Sequence, residues 1–117
     1  MTILDIKNIL NCDVLCGENK LNTEVKTGCG ADLMSDVLAF VKDRGILLTG
    51  LINPQVVRTA EMMDIVCVVF VRGKTPDQAM VDLASECDIV MMRTQEKMFA
   101  SCGKLFEAGL RGDIYGD

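Results

Sequence analysis

Histidine is absent from the 117-residue chain, and so is tryptophan. Without histidine the chain lacks the usual general base, the usual partner of a catalytic serine or cysteine, and the commonest imidazole metal ligand. Most hydrolase mechanisms are therefore excluded, and so is chemistry through phosphohistidine. Aromatic residues make up only 4% of the chain, so the core must be built from aliphatic side chains and from eight methionines.

The chain also has few basic residues and no long apolar run. Twelve lysines and arginines against seventeen acidic residues give a net charge of -5, which argues against nucleic acid, because such binding begins with clustered cations. No stretch approaches the roughly 20 apolar residues that span a bilayer, and the N-terminus lacks a secretion signal. We therefore expect a cytoplasmic protein without a nucleic-acid or membrane partner. Its six cysteines are then expected to be reduced and mostly buried, with no bound metal or cofactor.

The second half of the chain alternates between apolar runs and amphipathic helices. Near-continuous apolar residues at 46–49, 65–71 and 89–92 indicate parallel strands that are covered on both faces. Helices are predicted after Asn53-Pro54, after a capping box that begins at Thr75, and after Thr94. Because 117 residues suit one core, we predict a single α/β domain over residues 1–117, a three-layer sandwich with a mostly parallel central sheet.

The first half is less regular. We predict a short helix over residues 3–10, short strands at 13–16 and 24–26, and a helix over 32–43 that ends at Gly45. The last helix is predicted to end at Gly109 and to bury five side chains, namely Met98, Phe99, Cys102, Leu105 and Phe106. We expect a homodimer, because one small domain cannot bury all the apolar surface of this helix together with Met62-Met63 and Met91-Met92.

Two short motifs are better explained by structure than by chemistry. Gly73-Lys74-Thr75 resembles the end of a phosphate-binding loop, but the glycine that should precede it is Val68 within a strand. Asp32, Ser35 and Asp36 lie at a predicted helix start, where capping by carboxylates is the favoured explanation and ligand contact is the alternative. Neither motif supplies a catalytic site, so we predict no catalytic residues and no metal site.

A binding site is predicted where the three parallel strands end. Open α/β sheets bind ligands at this edge, and helix N-termini beside arginine and lysine suit anions. We therefore predict that an anionic small molecule or nucleotide is bound there by eight residues, which are Thr49, Gly50, Asn53, Arg72, Gly73, Lys74, Arg93 and Thr94.

A family resemblance covers nearly the whole chain. It rests on Asp32-Leu33-Met34-Ser35-Asp36-Val37, Leu48-Thr49-Gly50, Asn53-Pro54, Val69-Phe70-Val71-Arg72-Gly73 and the ending Glu107-Ala108-Gly109-Leu110. These segments resemble the DRTGG-domain family. The resemblance implies the fold of the N-terminal domain of HPr kinase/phosphorylase, a domain also found in some phosphotransacetylases and beside CBS domains in certain pyrophosphatases. Stand-alone copies similar to this chain occur in anaerobes, often near hydrogenase genes.

The resemblance implies regulation rather than catalysis, since the family brings no catalytic residues with it. Val71-Arg72-Gly73 stands where the family usually has Thr-Gly-Gly, and no Asp-Arg pair precedes it. We expect a ligand-sensing module that acts on a partner enzyme, with a link to hydrogenases. The alternative is a dimerisation or adaptor module that binds no small molecule.

Overall fold

The computed structural model describes residues 1–39 and 43–112. Helices and strands alternate along this part of the chain, and a single 3-10 turn lies at Glu18–Lys20. In chain order the elements are α1 (Ile3–Leu10), β1 (Asp13–Cys16), β2 (Thr27–Gly30), α2 (Met34–Leu38), β3 (Gly45–Thr49), α3 (Gln55–Met62), β4 (Ile65–Phe70), α4 (Gln78–Glu86), β5 (Val90–Arg93) and α5 (Met98–Glu107).

The strands form one sheet in the order β1-β5-β4-β3-β2. Strands β2 to β5 are parallel, and β1 pairs antiparallel with β5 at one edge. Every residue of β3 is buried, as expected of a strand that is covered on both faces. The predicted mixed α/β fold with a mostly parallel sheet is confirmed.

Helices cover both faces of the sheet. On one face α1 and α5 pack over Ile46 and Leu48, and Leu105 of α5 is buried among them. On the other face α2, α3 and α4 pack over Leu47 and Phe70. Successive residues of β3 thus point to opposite cores, which is the period-two alternation of a strand. The result is three layers with two apolar cores.

The second strand lies three residues later than predicted. Residues 24–26 pair with the N-terminus instead. Glu24 forms an isolated antiparallel β-bridge with Thr2, and the amide of Val25 donates to the carbonyl of Met1 at 2.8 Å. The actual strand contains Gly28 and Gly30, which weaken a strand pattern in a sequence. Both glycines are needed for close packing, since a Cβ at Gly30 would lie 2.7 Å from the Cys102 sulfur in α5.

The helix predicted over residues 32–43 is shorter in the structure. It covers only Met34–Leu38, and Leu33 precedes it without a side-chain cap. Asp32 does not cap it, because its carboxylate bonds to the end of β3 instead. Asp43 is not helical, and residues 40–42, which include the predicted apolar Val41, lie outside the described residues.

The predicted starts of α3 and α4 differ in outcome. Asn53 accepts a hydrogen bond from the Gln55 amide at 2.8 Å, but the N-cap position of α3 is Pro54, one residue after the predicted cap. The capping box at Thr75 is wrong: Asp77 is the N-cap of α4, and its carboxylate accepts from the Met80 amide at 2.9 Å. The Thr75 hydroxyl already accepts a hydrogen bond from Arg93, and Asp is an equally favourable N-cap residue.

The last helix was predicted to bury two phenylalanines that the structure exposes. Phe99 is 92% exposed and Phe106 is 52% exposed. The helix buries a narrower stripe than its apolar pattern suggests, centred on Ser101 and Leu105. Met91 and Met92 are fully buried in the sheet, so they are core residues and do not contribute to a surplus apolar surface.

Candidate functional site

The ends of β3, β4 and β5 lie side by side, and we call this region with the loops that follow the carboxyl edge. Thr49, Phe70 and Arg93 stand in one row of the sheet. The row continues into the loops, because the Val71 amide donates to the Thr49 carbonyl at 3.0 Å and the Thr94 amide donates to the Phe70 carbonyl at 2.9 Å. The structure therefore brings the predicted ends of the three strands together.

The loop after β4 has two successive residues in left-handed conformation. Arg72 has φ 61° and Gly73 has φ 69°. Their amides donate at 2.8 Å to the carbonyls of Glu96 and Thr94 respectively, which ties this loop to the loop after β5. A side chain at Gly73 would be strained by the φ of 69°, and its Cβ would lie 2.6 Å from the amide oxygen of Gln95, which would have to move. Arg72 thus occupies a backbone position where the resembled family usually has glycine.

Arg72 is held in a conformation that is unfavourable for a residue with a side chain. A left-handed residue other than glycine costs roughly 1–2 kcal/mol, and such strain is found preferentially at binding and active sites. The guanidinium lies directly over Gly50, close enough that a Cβ at Gly50 would collide with it. Within residues 1–39 and 43–112 no hydrogen-bond or ion-pair partner of the Arg72 side chain exists, and the same holds for the exposed Lys74.

Asp32 is a residue of the carboxyl edge that sequence reasoning placed elsewhere. Its carboxylate accepts from the Gly50 amide at 2.7 Å and from the Thr49 hydroxyl at 3.2 Å. Two of the predicted ligand donors are thus bound to a carboxylate of the protein itself. The signal was present in the order of the elements, because Asp32 comes two residues after the true end of β2 at Gly30.

Three other predicted residues make contacts within the fold. Arg93 is 2.9 Å from the carboxylate of Asp13 and donates at 3.0 Å to the Thr75 hydroxyl. The Thr94 hydroxyl is buried and donates at 2.6 Å to the Leu10 carbonyl. The side-chain oxygen of Asn53 accepts from the Gln55 amide at the first residue of α3. Of the predicted cations, Arg72 and Lys74 therefore remain available to a ligand.

The opposite edge of the sheet has a different chemical character. We call it the amino edge; a concavity of about 390 Å³ lies there, lined by acidic side chains that include Glu61, Asp64 and Asp88. Another concavity of about 410 Å³ lies between the N-terminus and Gly109. Neither contains a residue of the predicted site.

No three metal-ligating side chains cluster anywhere in the described part of the chain, and no helix described there is long and apolar enough to cross a membrane.

Five of the six thiols have raised pKa values, which makes them poor nucleophiles. Burial raises the pKa of Cys12 to about 12 and also raises the pKa of the fully buried Cys67. Burial also raises the pKa of Cys16 and of Cys102, while a hydrogen bond with Glu61 is the main cause that raises the pKa of Cys87. These thiols are protonated at neutral pH, whereas nucleophilic attack requires the thiolate.

Comparison with known proteins shows a shared fold. No protein-family model and no curated protein matches the chain. Among solved structures, it is similar to the CBS and DRTGG domains of the regulatory region of a Clostridium perfringens pyrophosphatase, a structure in complex with the activator diadenosine tetraphosphate. The TM-score is 0.72 at 15% sequence identity. The match covers 96% of this chain and 48% of the other, so the chain spans about half of that regulatory region.

Proposed function

We propose that this protein is a non-catalytic regulatory module that binds a nucleotide or another anionic metabolite at the carboxyl edge. Arg72 and Lys74 are the residues that contact phosphate in this proposal. The observation that carries it is the conformation of Arg72. This strained, left-handed arginine holds its guanidinium over the backbone of Gly50, and no described residue pairs with that guanidinium.

The chemistry of the two cations fits a phosphate group. A guanidinium presents several donors in a planar fork that matches phosphate oxygens, and an ammonium adds a flexible point charge. The other predicted residues have supporting roles. Arg93 orients the Thr75 end of the loop, Gly73 permits its turn, and Thr94, Thr49 and Gly50 fix the strand ends beneath it.

The structural neighbour supports regulation as the class of function. The neighbouring protein is a regulatory region, and its ligand is a nucleotide with a chain of phosphates. At 15% identity the likeness carries the fold, so an adenine nucleotide is our proposal for this chain. A single domain over residues 1–117, a cytoplasmic location and a hydrogenase-linked partner enzyme complete the proposal.

Thermal unfolding in the presence of AMP, ADP, ATP and diadenosine tetraphosphate tests ligand binding. A ligand that binds only the folded chain adds about 2.7 kcal/mol at a hundredfold excess over Kd, which raises the Tm of a chain of this size by roughly 10 °C. An Arg72→Ala, Lys74→Ala double variant should lose this shift. A wild-type Tm that none of these nucleotides changes would contradict the proposal.

The second candidate is an adaptor or dimerisation module without a small ligand. The exposure of Phe99 and Phe106 on α5 favours it, because large apolar side chains that cluster on a surface mark protein contacts. A dimer that forms alike with and without nucleotides, and no thermal shift, would favour this candidate over the first.

The proposal includes the absence of phosphoryl transfer by the isolated chain. Incubation with Mg²⁺ and labelled ATP should give no labelled product with or without acceptor proteins. Asp36 is exposed on α2, and with Asp32 it is a carboxylate that could hold Mg²⁺ if transfer occurred. Transfer above background that disappears in an Asp36→Ala variant would overturn the non-catalytic assignment.

A further inference from the structure

The outer side of α5 carries an apolar stripe. Phe99 and Phe106 lie seven residues apart, and therefore on the same side of the helix, with exposed fractions of 92% and 52%. Gly103 lies between them, and a Cβ built on it would have nothing within 4 Å. The stripe borders a concavity of about 540 Å³ that is lined by Phe99, Cys102, Gly103, Phe106 and Glu107.

One charge at each end of this helix opposes its dipole, although Glu96 and Lys104, which pair at 3.0 Å, have the favourable signs. Glu107 is its last residue, where the helix dipole is negative, and Lys97 precedes its first turn, where the dipole is positive. Within the described residues neither side chain has an ion-pair partner. The start of α5 also lacks a side-chain cap. The charges of Lys97 and Glu107 would therefore each be more favourable beside the opposite end of a second such helix than beside their own end.

We infer that a second copy of this chain covers the stripe, with α5 packed antiparallel against α5 about a twofold axis near Gly103. In this arrangement Phe99 faces Phe106 of the second copy, and the reverse contact forms by symmetry. Glu107 then lies at the start of the opposing helix, beside Lys97 of the second copy. Gly103 allows the two helix backbones to approach closely because no side chain separates them.

The available area indicates a reversible dimer. A fully buried aromatic side chain removes about 150–250 Å² from solvent, so the exposed parts of four rings supply roughly 600 Å². A specific interface needs about 1,000 Å² or more in total. The polar rim must contribute the remainder, and the dimer is expected to dissociate on dilution. This inference goes beyond the anion site and does not depend on it.

Sedimentation velocity of the whole chain over a concentration range tests the interface. The wild type should shift from monomer to dimer between about 1 μM and about 1 mM, and Phe99→Glu should weaken association at least about tenfold. Met62→Glu is the matched control, since Met62 is 71% exposed on α3 in the opposite helical layer. A wild type that stays monomeric throughout, or a Phe99→Glu variant that dimerises like the wild type, would overturn the inference.

A second variant excludes misfolding as the cause of any loss. Gly103→Gln adds a neutral side chain to open space, so the monomer should fold, while the close approach of the two helices is blocked. Dimerisation should weaken while the Tm of the monomer is unchanged or higher.

The charge reversals Lys97→Glu and Glu107→Lys should each weaken the dimer, and the two changes in combination should restore it. A double variant that does not dimerise would contradict the antiparallel arrangement. Arg72→Gly should dimerise normally, so failure of the anion site and failure of this interface are distinguishable.

Discussion

The two edges of the sheet present different charged side chains, although the same strands build both. At the amino edge, Glu61, Asp64 and Asp88 surround a concavity. At the carboxyl edge, Arg72 and Lys74 are exposed and unpaired within the described residues. The carboxyl edge also carries Asp32, and Arg44 lines the concavity at the amino edge, so neither edge has charge of one sign. The distribution of charge, rather than its sum, indicates which ligand each edge attracts.

The left-handed residues at the two edges also have different origins. At the amino edge, Asp64 and Asp88 follow α3 and α4 with φ 55° and 59°, where a left-handed residue is the usual end of a helix. Arg72 follows a strand, so no helix end accounts for its φ of 61°. Its conformation is imposed by the hydrogen bond of its amide to the Glu96 carbonyl. Of these three residues, Arg72 is the one whose left-handed conformation does not end a helix.

The largest expected effect comes from disrupting the turn that holds Arg72 in this conformation. Gly73→Ala puts a Cβ at φ 69° and 2.6 Å from the Gln95 side chain, so we expect a loss of about 2 kcal/mol in the free energy of unfolding. Gly103→Ala is the matched control, because it lies within a helix beside open space and should add about 1 kcal/mol. Urea denaturation measures both, and equal effects of the two changes would show that the turn carries no strain.

A smaller effect is expected from adding charge to the carboxyl edge. Asp13→Asn releases Arg93 from its 2.9 Å ion pair and makes the edge more positive. Because Asp13 is mostly exposed, the pair contributes only about 0.2–1 kcal/mol to stability. Affinity for ATP in calorimetry should rise several-fold. Asp88→Asn at the amino edge should leave the affinity for ATP unchanged. An equal rise in affinity in both variants would mean that net charge alone governs binding.

The smallest effect concerns the position of the guanidinium. Gly50→Ala places a methyl group where the Arg72 side chain lies, and that flexible side chain can move away at little cost to stability. We expect affinity for ATP to fall about threefold with an unchanged Tm, since part of a charge-assisted contact is lost. Affinity equal to that of the wild type would show that the contact between Arg72 and Gly50 is irrelevant to binding.

Much of the fold follows from the sequence because its central strands are buried on both faces. The runs that contain Leu47, Val68 and Met91 need no tertiary information to be identified as strands. The sequence predicts β2 three residues early because glycine is unfavourable in strands, and Gly28 and Gly30 are instead suited to close packing against Leu110 and α5 respectively. The exposure of Phe99 was missed because an apolar periodicity does not show how wide a stripe the sheet covers.

The site was less accessible to sequence reasoning than the fold. The adjacency of the strand ends follows from parallel topology, but three features depend on the folded chain. The left-handed conformation of Arg72 depends on the carbonyl of Glu96. The position of Asp32 depends on the true end of β2, and the pairing of Arg93 depends on the antiparallel edge strand that carries Asp13.

The most direct test of the anion site compares two arginines that share a backbone conformation but lie at opposite edges. Arg44 at the amino edge has φ 50° and Arg72 has φ 61°, so glycine relieves strain at both positions and neither variant should be less stable than the wild type. Calorimetric titration with diadenosine tetraphosphate should give equal affinities for the wild type and Arg44→Gly, and an affinity at least about tenfold weaker for Arg72→Gly. Equal affinity of all three proteins, or no binding by the wild type, would contradict the account.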